Sequence, residues 1–564
     1  MVTHCPVLED VNLASNNFFE ALEFSNSNTI QRLILASNSL TELAVPCLNV
    51  THLDVSYNRL SGNIFNSSDS TCSSLKVLNI SSNFYSGLPL LSLGLKNLEL
   101  HSSLEVLDAS YNSFTGELPK FHANLKHLDF SSNMFTKTSS NICPTDSKVR
   151  NLLLPNNRLT GPLLDSLVNC RRLQLLDVSF NELTGGIPDQ LCNSLPKLQH
   201  LHAWGNGLQG SIPSTLGNCV DLITILLSHN NLNGSIPTQL SGLHKLWWLS
   251  LSSNYLTGEI PSSFGELDNL VCLQLTNNSL EGEIPKEMDG SKSLYVMELA
   301  SNSFSGKLPG RIGRKFSRVE ITGSIVVQAR LDSMYVVART PGPICKGSNM
   351  LFIVHGIRLH DLEQHLFART GCFAPLNINP PYVLNISSPL IIQLSYNQLS
   401  GEIPEEIGLM RSLLILDVAH NNLSGRIPEV LGNLEGMQVL DLSENALHGS
   451  IPASLSQLTF LFLFNVSYNN LSGRIPQRGQ FFTFTGGSFE GNPELCGLPL
   501  PTKCFAADPP VLTNIAHPIS DDGIQDILVA ALVSGTIAFV ICCALSFYCH
   551  SKYTCKLSQT SSYV

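Results

Sequence analysis

The chain has 564 residues, with 33 Lys+Arg against 44 Asp+Glu for a formal net charge of −11. Only 14% of residues are charged and 43% are apolar, where about 25% charged is usual for a soluble domain. This excludes a disordered acidic chain, which needs high charge and few aliphatics, and a generic nucleic-acid binder, which needs a basic excess.

A repeat organises almost the whole length. One copy reads Leu246-Trp-Trp-Leu249-Ser-Leu251-Ser-Ser-Asn254-Tyr-Leu256-Thr-Gly258-Glu-Ile260-Pro261, and the next is Leu270-x-x-Leu273-x-Leu275-x-x-Asn278-x-Leu280-x-Gly282-x-Ile284-Pro285. Marked by its asparagine, the motif occurs seventeen times, from Asn16 to Asn302 and from Asn397 to Asn469. From Asn206 to Asn302, and again over the last four copies, every step is 24 residues. The three leucines before the asparagine face a shared core, and the residues between them face outward from a short parallel strand. The asparagine amide is suited to satisfy backbone groups of the turn, repeat after repeat. Each unit buries its apolar face only against its neighbours, so the expected fold is a curved solenoid.

This pattern resembles the leucine-rich repeat, and the trailing Leu-x-Gly-x-Ile-Pro resembles its plant extracellular subtype. The expected class is an α/β-type solenoid with a parallel concave sheet and a convex face of 3-10 helices and loops. Residues 1–311 carry thirteen copies. The chain starts inside a repeat with no apolar signal core, so the N-terminal cap is expected to be missing by truncation.

Asn302 to Asn397 spans 95 residues, which leaves an insertion of about 71 after one normal step. It is placed at 312–389 and read as a small folded island, because it holds strand-like runs (Gly323–Arg330 and Met334–Ala338) and two cysteines, Cys345 and Cys372. Four further repeats fill 390–480. Residues 481–510 resemble the C-terminal cap of plant extracellular leucine-rich repeats, for which Cys496–Cys504 is the expected disulfide. Residues 511–526 are an acidic juxtamembrane segment. Residues 527–549 are 23 uncharged residues, long enough to span a bilayer. Lys552 and Lys556 then place the tail, 550–564, in the cytoplasm. The expected location is the plasma membrane, single-pass, with the N-terminus outside and no room for a kinase inside.

An oxidising exterior permits disulfides, and Cys345–Cys372 is taken as a second pair. Cys170, Cys219 and Cys272 occupy repeat positions and are expected as small buried residues. Nine glycosylation sequons occur, at Asn49, Asn66, Asn79, Asn233, Asn277, Asn385, Asn422, Asn465 and Asn470. No phosphate loop, nucleophile elbow or metal-ligand spacing is present. His229 and His420 precede ladder asparagines and are expected to face solvent. No catalysis and no cofactor are expected, so the function should be binding.

The outward strand positions define where. Ile223, Thr224, Trp247, Trp248, Val271, Cys272, Tyr295 and Val296 precede the insertion. Leu414, Ile415, Gln438, Val439, Phe462 and Leu463 follow it. This is an apolar stripe on both sides of the island; it marks either an interaction site, as exposed apolar surface usually does, or a surface that the folded island covers.

The island run Tyr335-Val-Val-Ala-Arg-Thr-Pro-Gly-Pro-Ile-Cys345, with the later Gly356-Ile357-Arg358, resembles the island of the brassinosteroid receptor family. That family also has four repeats after its island. The resemblance implies a ligand lying between island and concave sheet, with a co-receptor kinase docking over it. It implies that Tyr335 contacts ligand. Val337, Val296 and Leu414 match positions that are aromatic there, and Ile415 and Val439 match aliphatic contacts. The architecture without a kinase resembles a plant receptor-like protein. The expected function is a cell-surface receptor-like protein that binds a steroid-like or peptide ligand and signals through a partner leucine-rich-repeat receptor kinase. The alternatives are a kinase-less decoy or negative regulator, a defence-type receptor, or a protein that binds wall enzymes.

Overall fold

The computed structural model describes residues 8–24, 29–45, 49–65, 72–87, 103–138, 142–290, 293–309, 333–338, 350–355 and 390–504. The proposed membrane span, the acidic segment, the tail, Cys345, Cys372, Asn66 and Asn385 lie outside them. Among the described residues no helix is long and apolar enough to cross a membrane.

One repeat shows how the residues make the fold. Leu246, Leu249, Leu251 and Leu256 are all 0% exposed. The strand Trp248–Ser250 contributes to one sheet, and Tyr255–Gly258 to a second on the flank. Pro261 then caps a 3-10 helix at Ser262–Glu266, whose Phe264 returns to the core. Proline suits that cap because its fixed φ starts the turn and its missing N–H has no partner to lose. Gly282 has φ +80° in the flanking strand, and a Cβ there would lie 2.7 Å from the Glu259 side chain of the preceding repeat. Glycine is thus required twice over, by the backbone and by the neighbour that lies across it.

Stacking the repeats builds a 17-stranded, wholly parallel sheet that runs from Asp10–Asn12 to Leu463–Asn465. It passes across the insertion without a break. Val296 pairs directly with Ile391, although 95 positions separate them. From the insertion itself, Ser333–Ala338 and Met350–His355 form an antiparallel hairpin, with Tyr335 opposite Ile353 and Val337 opposite Leu351.

The asparagine ladder holds the turns in register. Asn254 Nδ2 donates to the carbonyls of Leu251, Ser252 and, in the previous repeat, Leu227, while its Oδ1 accepts from the Leu232 amide at 3.0 Å. The pattern recurs through Asn469. It continues into the cap, where Asn492 donates to Val466 and Phe489 and accepts from the Leu471 amide. That last rung lies outside the sequence motif. The cap closes with the strand Glu494–Cys496 on Asn470–Arg474 and with the Cys496–Cys504 disulfide.

Cys170 and Cys219 are buried, as expected, but they are not isolated. Cys170 is bonded to Cys143 and Cys219 to Cys192, each across 27 residues. One repeat length plus three residues brings the returns of neighbouring repeats side by side. The Cα separations are 5.3 and 5.0 Å, within the range a disulfide requires. Cys272 is free and buried, as expected.

Asn254→Ala removes a buried amide and strands backbone groups on two repeats. It should destabilise the protein by about 3 kcal/mol, since each stranded group costs on the order of 1–3 kcal/mol. Asn231→Ala, at an exposed strand position, should cost little. Denaturant unfolding of the two variants checks this.

Candidate functional site

The outward residues of the sheet form two rows, because side chains two apart share a face. The first row runs in register Thr224, Trp248, Cys272, Val296, Ile391, Ile415, Val439, Leu463. It brings together Val296, Ile415 and Val439 from the expected site and adds Ile391, the outward residue of the first strand after the insertion. A Leu-x-x-x-Leu start at Leu390–Leu394 is its only sequence signal. Tyr295, Leu414 and Phe462 stand at the strand entrances beside this row; the Ile391 amide donates to the Tyr295 carbonyl, and the Gln438 amide to that of Leu414.

Exposure differs along the stripe. Trp248, Cys272, Tyr295, Val296 and Val439 are buried, at 2%, 2%, 6%, 7% and 7%. Leu414, Ile415, Ile391 and Leu463 are half-buried. Of the expected site residues described with side chains, only Phe462 is exposed, at 61%. Parallel strands about 4.8 Å apart set each side chain against the next along the row, so inner positions shield one another. Trp247 and Trp248, consecutive residues of one repeat, also pack on each other, with ring centroids 5.7 Å apart.

The second row is polar and was not recognised from sequence. It runs Asp177, His202, Leu226, Ser250, Gln274, Glu298, Gln393, Asp417, Asp441, Asn465. Within it, His202 Nε2 lies 2.8 Å from Thr224 Oγ1 and His202 Nδ1 lies 3.6 Å from Asp177 Oδ2. Farther along, Trp248 Nε1 donates to Gln274 Oε1 at 2.8 Å, and Gln274 Nε2 donates to Glu298 Oε2 at 2.8 Å. The two bonds fix the orientation of the glutamine amide. Burial pushes Glu298 up to about 8, against the opposing pull of the Gln274 bond. Burial, and then the charge of Glu298, push the Cys272 thiol well above its ordinary range, so it is no nucleophile near neutrality. Among the described residues no group of three His, Cys, Asp or Glu could hold a metal ion.

The sequons divide by place. Asn49, Asn233, Asn277, Asn422 and Asn470 are exposed. Asn79 and Asn465 are half-buried on concave strands, and their Oδ1 atoms accept from the amides of Ser81 and Ser467. His420 is half-buried, with Nδ1 at 2.6 Å from Glu444 Oε2.

Comparison with known proteins agrees with this architecture. The family model described as leucine rich repeat matches residues 196–256, and a second such model matches 103–123, 172–194, 412–434 and 436–458. The chain is 36% identical over 117 residues to receptor-like protein 14 of Arabidopsis thaliana, covering 20% of this chain and 12% of that protein. It is 31% identical over 217 residues to receptor-like protein 1 of the same plant, covering 33% and 20%. The matches thus span a fifth or less of those relatives' own length. Among solved structures, the plant peptide hormone receptor RGFR1 in complex with RGF2 aligns with a TM-score of 0.58 at 24% identity, covering 88% of this chain and 80% of that one. The Arabidopsis receptor kinase HAESA, in complex with the peptide hormone IDA and the co-receptor SERK1, aligns with a TM-score of 0.54 at 25% identity, covering 88% of each chain. The chain carries leucine-rich repeats where these models match, and plant receptor-like proteins are among the proteins it is similar to.

Glu298 holds its proton more tightly folded, at about 8, than unfolded, at about 4.3. Its contribution to stability is therefore complete below the unfolded value and is lost as pH rises through the folded one. Glu298→Gln keeps the acceptor for Gln274 and abolishes the titration. Unfolding midpoints measured from pH 5 to pH 9 should fall more steeply for the wild type than for this variant.

Proposed function

We propose that this protein is a cell-surface receptor-like protein whose concave face, where the insertion leaves the sheet, binds an extracellular ligand. One observation carries the reading. The apolar row passes from Val296 to Ile391 without a break, so the chain returns from the insertion directly onto the apolar floor, at the strand Leu390–Gln393. An apolar floor with a few fixed polar groups beside it is the usual composition of a ligand site. Trp248, Gln274 and Glu298 supply such groups. Tyr335 and Val337, on the insertion hairpin, and Tyr295, Leu414 and Phe462, at the strand entrances, complete the contacts.

A ligand seated there bridges this chain to a partner receptor kinase and raises the population of the signalling complex. The complex of HAESA with a peptide hormone and a co-receptor favours a peptide. The island resemblance favours a steroid-like molecule. Anchoring by residues 527–549 and glycans at the exposed sequons belong to the same reading.

The test mixes the full chain with a co-receptor ectodomain and either brassinolide or a panel of synthetic secreted peptides. One class should drive complex formation. Tyr335→Ala and Phe462→Ala should each weaken ligand binding about tenfold, in line with the 1–3 kcal/mol carried by an aromatic anchor. Deletion of 312–389 should abolish it. Undiminished binding after that deletion contradicts the proposal.

A further inference from the structure

The two residues that flank the first apolar residue of each motif stand where the chain enters a concave strand, and together they line that edge of the sheet. Over six consecutive repeats the pairs are Ser74 and Lys76, Ser103 and Glu105, Asn124 and Lys126, Lys148 and Arg150, Arg172 and Gln174, Lys197 and Gln199. Backbone bonds hold them in order. The amide of Glu105 donates to the carbonyl of Lys76, that of Lys126 to Glu105, of Arg150 to Lys126, of Gln174 to Arg150, and of Gln199 to Gln174. With Arg171 beside Arg172, seven cations share one edge of a chain whose net charge is −11.

Two carboxylates lie among them. Asp146 stands two residues before Lys148, and Glu105 Oε2 lies 2.7 Å from Lys126 Nζ. Glu105 is held below its ordinary range first by that bond and then, against some desolvation, by the charges of Lys126, Lys76 and Lys148. One carboxylate is thus shared by three ammonium groups. Lys148 Nζ donates to the neutral Asn124 Oδ1 at 2.7 Å. Arg150, Arg171 and Arg172 are exposed and enter no ion pair among the described residues. Lys76, Lys148 and Lys197 are exposed as well. The stretch is bounded. At the next repeats Asp221 and Lys245 neutralise each other at 2.6 Å, and the inner position becomes Ile223, Trp247, Val271 and Tyr295.

Cations gathered on one face with few counter-charges repel one another and draw in anions. The strands lie about 4.8 Å apart, so the charge is presented at the regular spacing of the rungs. An extended acidic peptide puts side chains on one face only every second residue, roughly 6.7 Å apart, and falls out of step with that spacing. A pyranose unit with its linking oxygen is about as long as one rung. The half-buried Gln174 and Gln199, in line with Lys126 and Arg150, add amides that can both donate to and accept from sugar hydroxyls. We propose that this edge binds a linear polyuronate, an acidic polysaccharide with one carboxylate per sugar, through Lys126, Lys148, Arg150 and Arg172, with Gln174 and Gln199 on its hydroxyls. Arginine adds paired donors that match a carboxylate. The surface makes no use of the insertion or of the apolar floor, so it stands or falls independently of the ligand site beside them.

Binding of the full chain to immobilised polygalacturonate, neutral dextran and polyglutamate tests this. The wild type should bind polygalacturonate, less well as salt rises, and should prefer it to the other two polymers. Arg150→Gln with Arg172→Gln should weaken that binding about five- to tenfold, the range expected for two exposed ion pairs. Arg426→Gln with Arg474→Gln removes the same charge from exposed positions on the flank of later repeats and should change nothing. Thermal unfolding of each variant confirms that the fold is intact. Absent binding, equal binding to dextran or polyglutamate, unchanged binding in the Arg150/Arg172 variant, or an equal loss in the Arg426/Arg474 variant overturns the proposal.

Discussion

The hydrogen bonding of one asparagine per repeat is the constraint on which the rest of the structure depends. Each turn leaves backbone amides and carbonyls with no strand partner, and these are costly to bury unpaired. The amide of Asn254 meets carbonyls on its own turn and on the previous one and accepts an amide from that previous repeat. Because each rung spans two repeats, the ladder fixes their spacing and rotation as well as closing the turn. The leucines supply the driving force through burial, but they would tolerate slippage that the asparagines do not. An uninterrupted parallel sheet follows, and with it side-chain rows that run the length of the molecule.

Those rows turn a repetitive scaffold into a surface with local character. A position that recurs every repeat becomes a continuous line, and its chemistry changes along the chain as the occupants change. The row that carries Trp248, Val296, Ile415 and Val439 is apolar around the insertion. The row beside it is polar, and the Trp248–Gln274–Glu298 bonds tie the two together. The insertion adds its residues without disturbing any of this, since Val296 still pairs with Ile391. A binding site can therefore be elaborated at one place while the rest remains scaffold.

Much of this was legible in the sequence because period and chemistry coincide. The strands, the convex helices after most Ile-Pro pairs and the ladder through Asn469 follow from local pattern, and the Cys496–Cys504 pair follows from the resemblance to the C-terminal cap of plant extracellular leucine-rich repeats. Features that depend on neighbouring repeats were harder to see. Cys143–Cys170 and Cys192–Cys219 join residues with no shared local motif. Asn492 is a rung without the surrounding leucines. The polar row was hidden because its members, from Asp177 to Asn465, look unrelated until the register aligns them. His420 read as a lone surface histidine because its partner, Glu444, stands one repeat of 24 residues away. How far each residue of the apolar stripe is buried was hard to see for a similar reason, since packing along a row is a property of stacked repeats and not of any one of them.

The central claim is that ligand is received on the concave face beside the insertion. A photoreactive amino acid placed at Ile415, on the apolar row, and separately at Glu406, exposed on the convex face, tests it most directly when each full-length protein is expressed in plant tissue and irradiated. The account predicts that a discrete molecule, identified by mass spectrometry, is captured at Ile415 and not at Glu406. Equal capture at both positions, or capture at Glu406 alone, would contradict it.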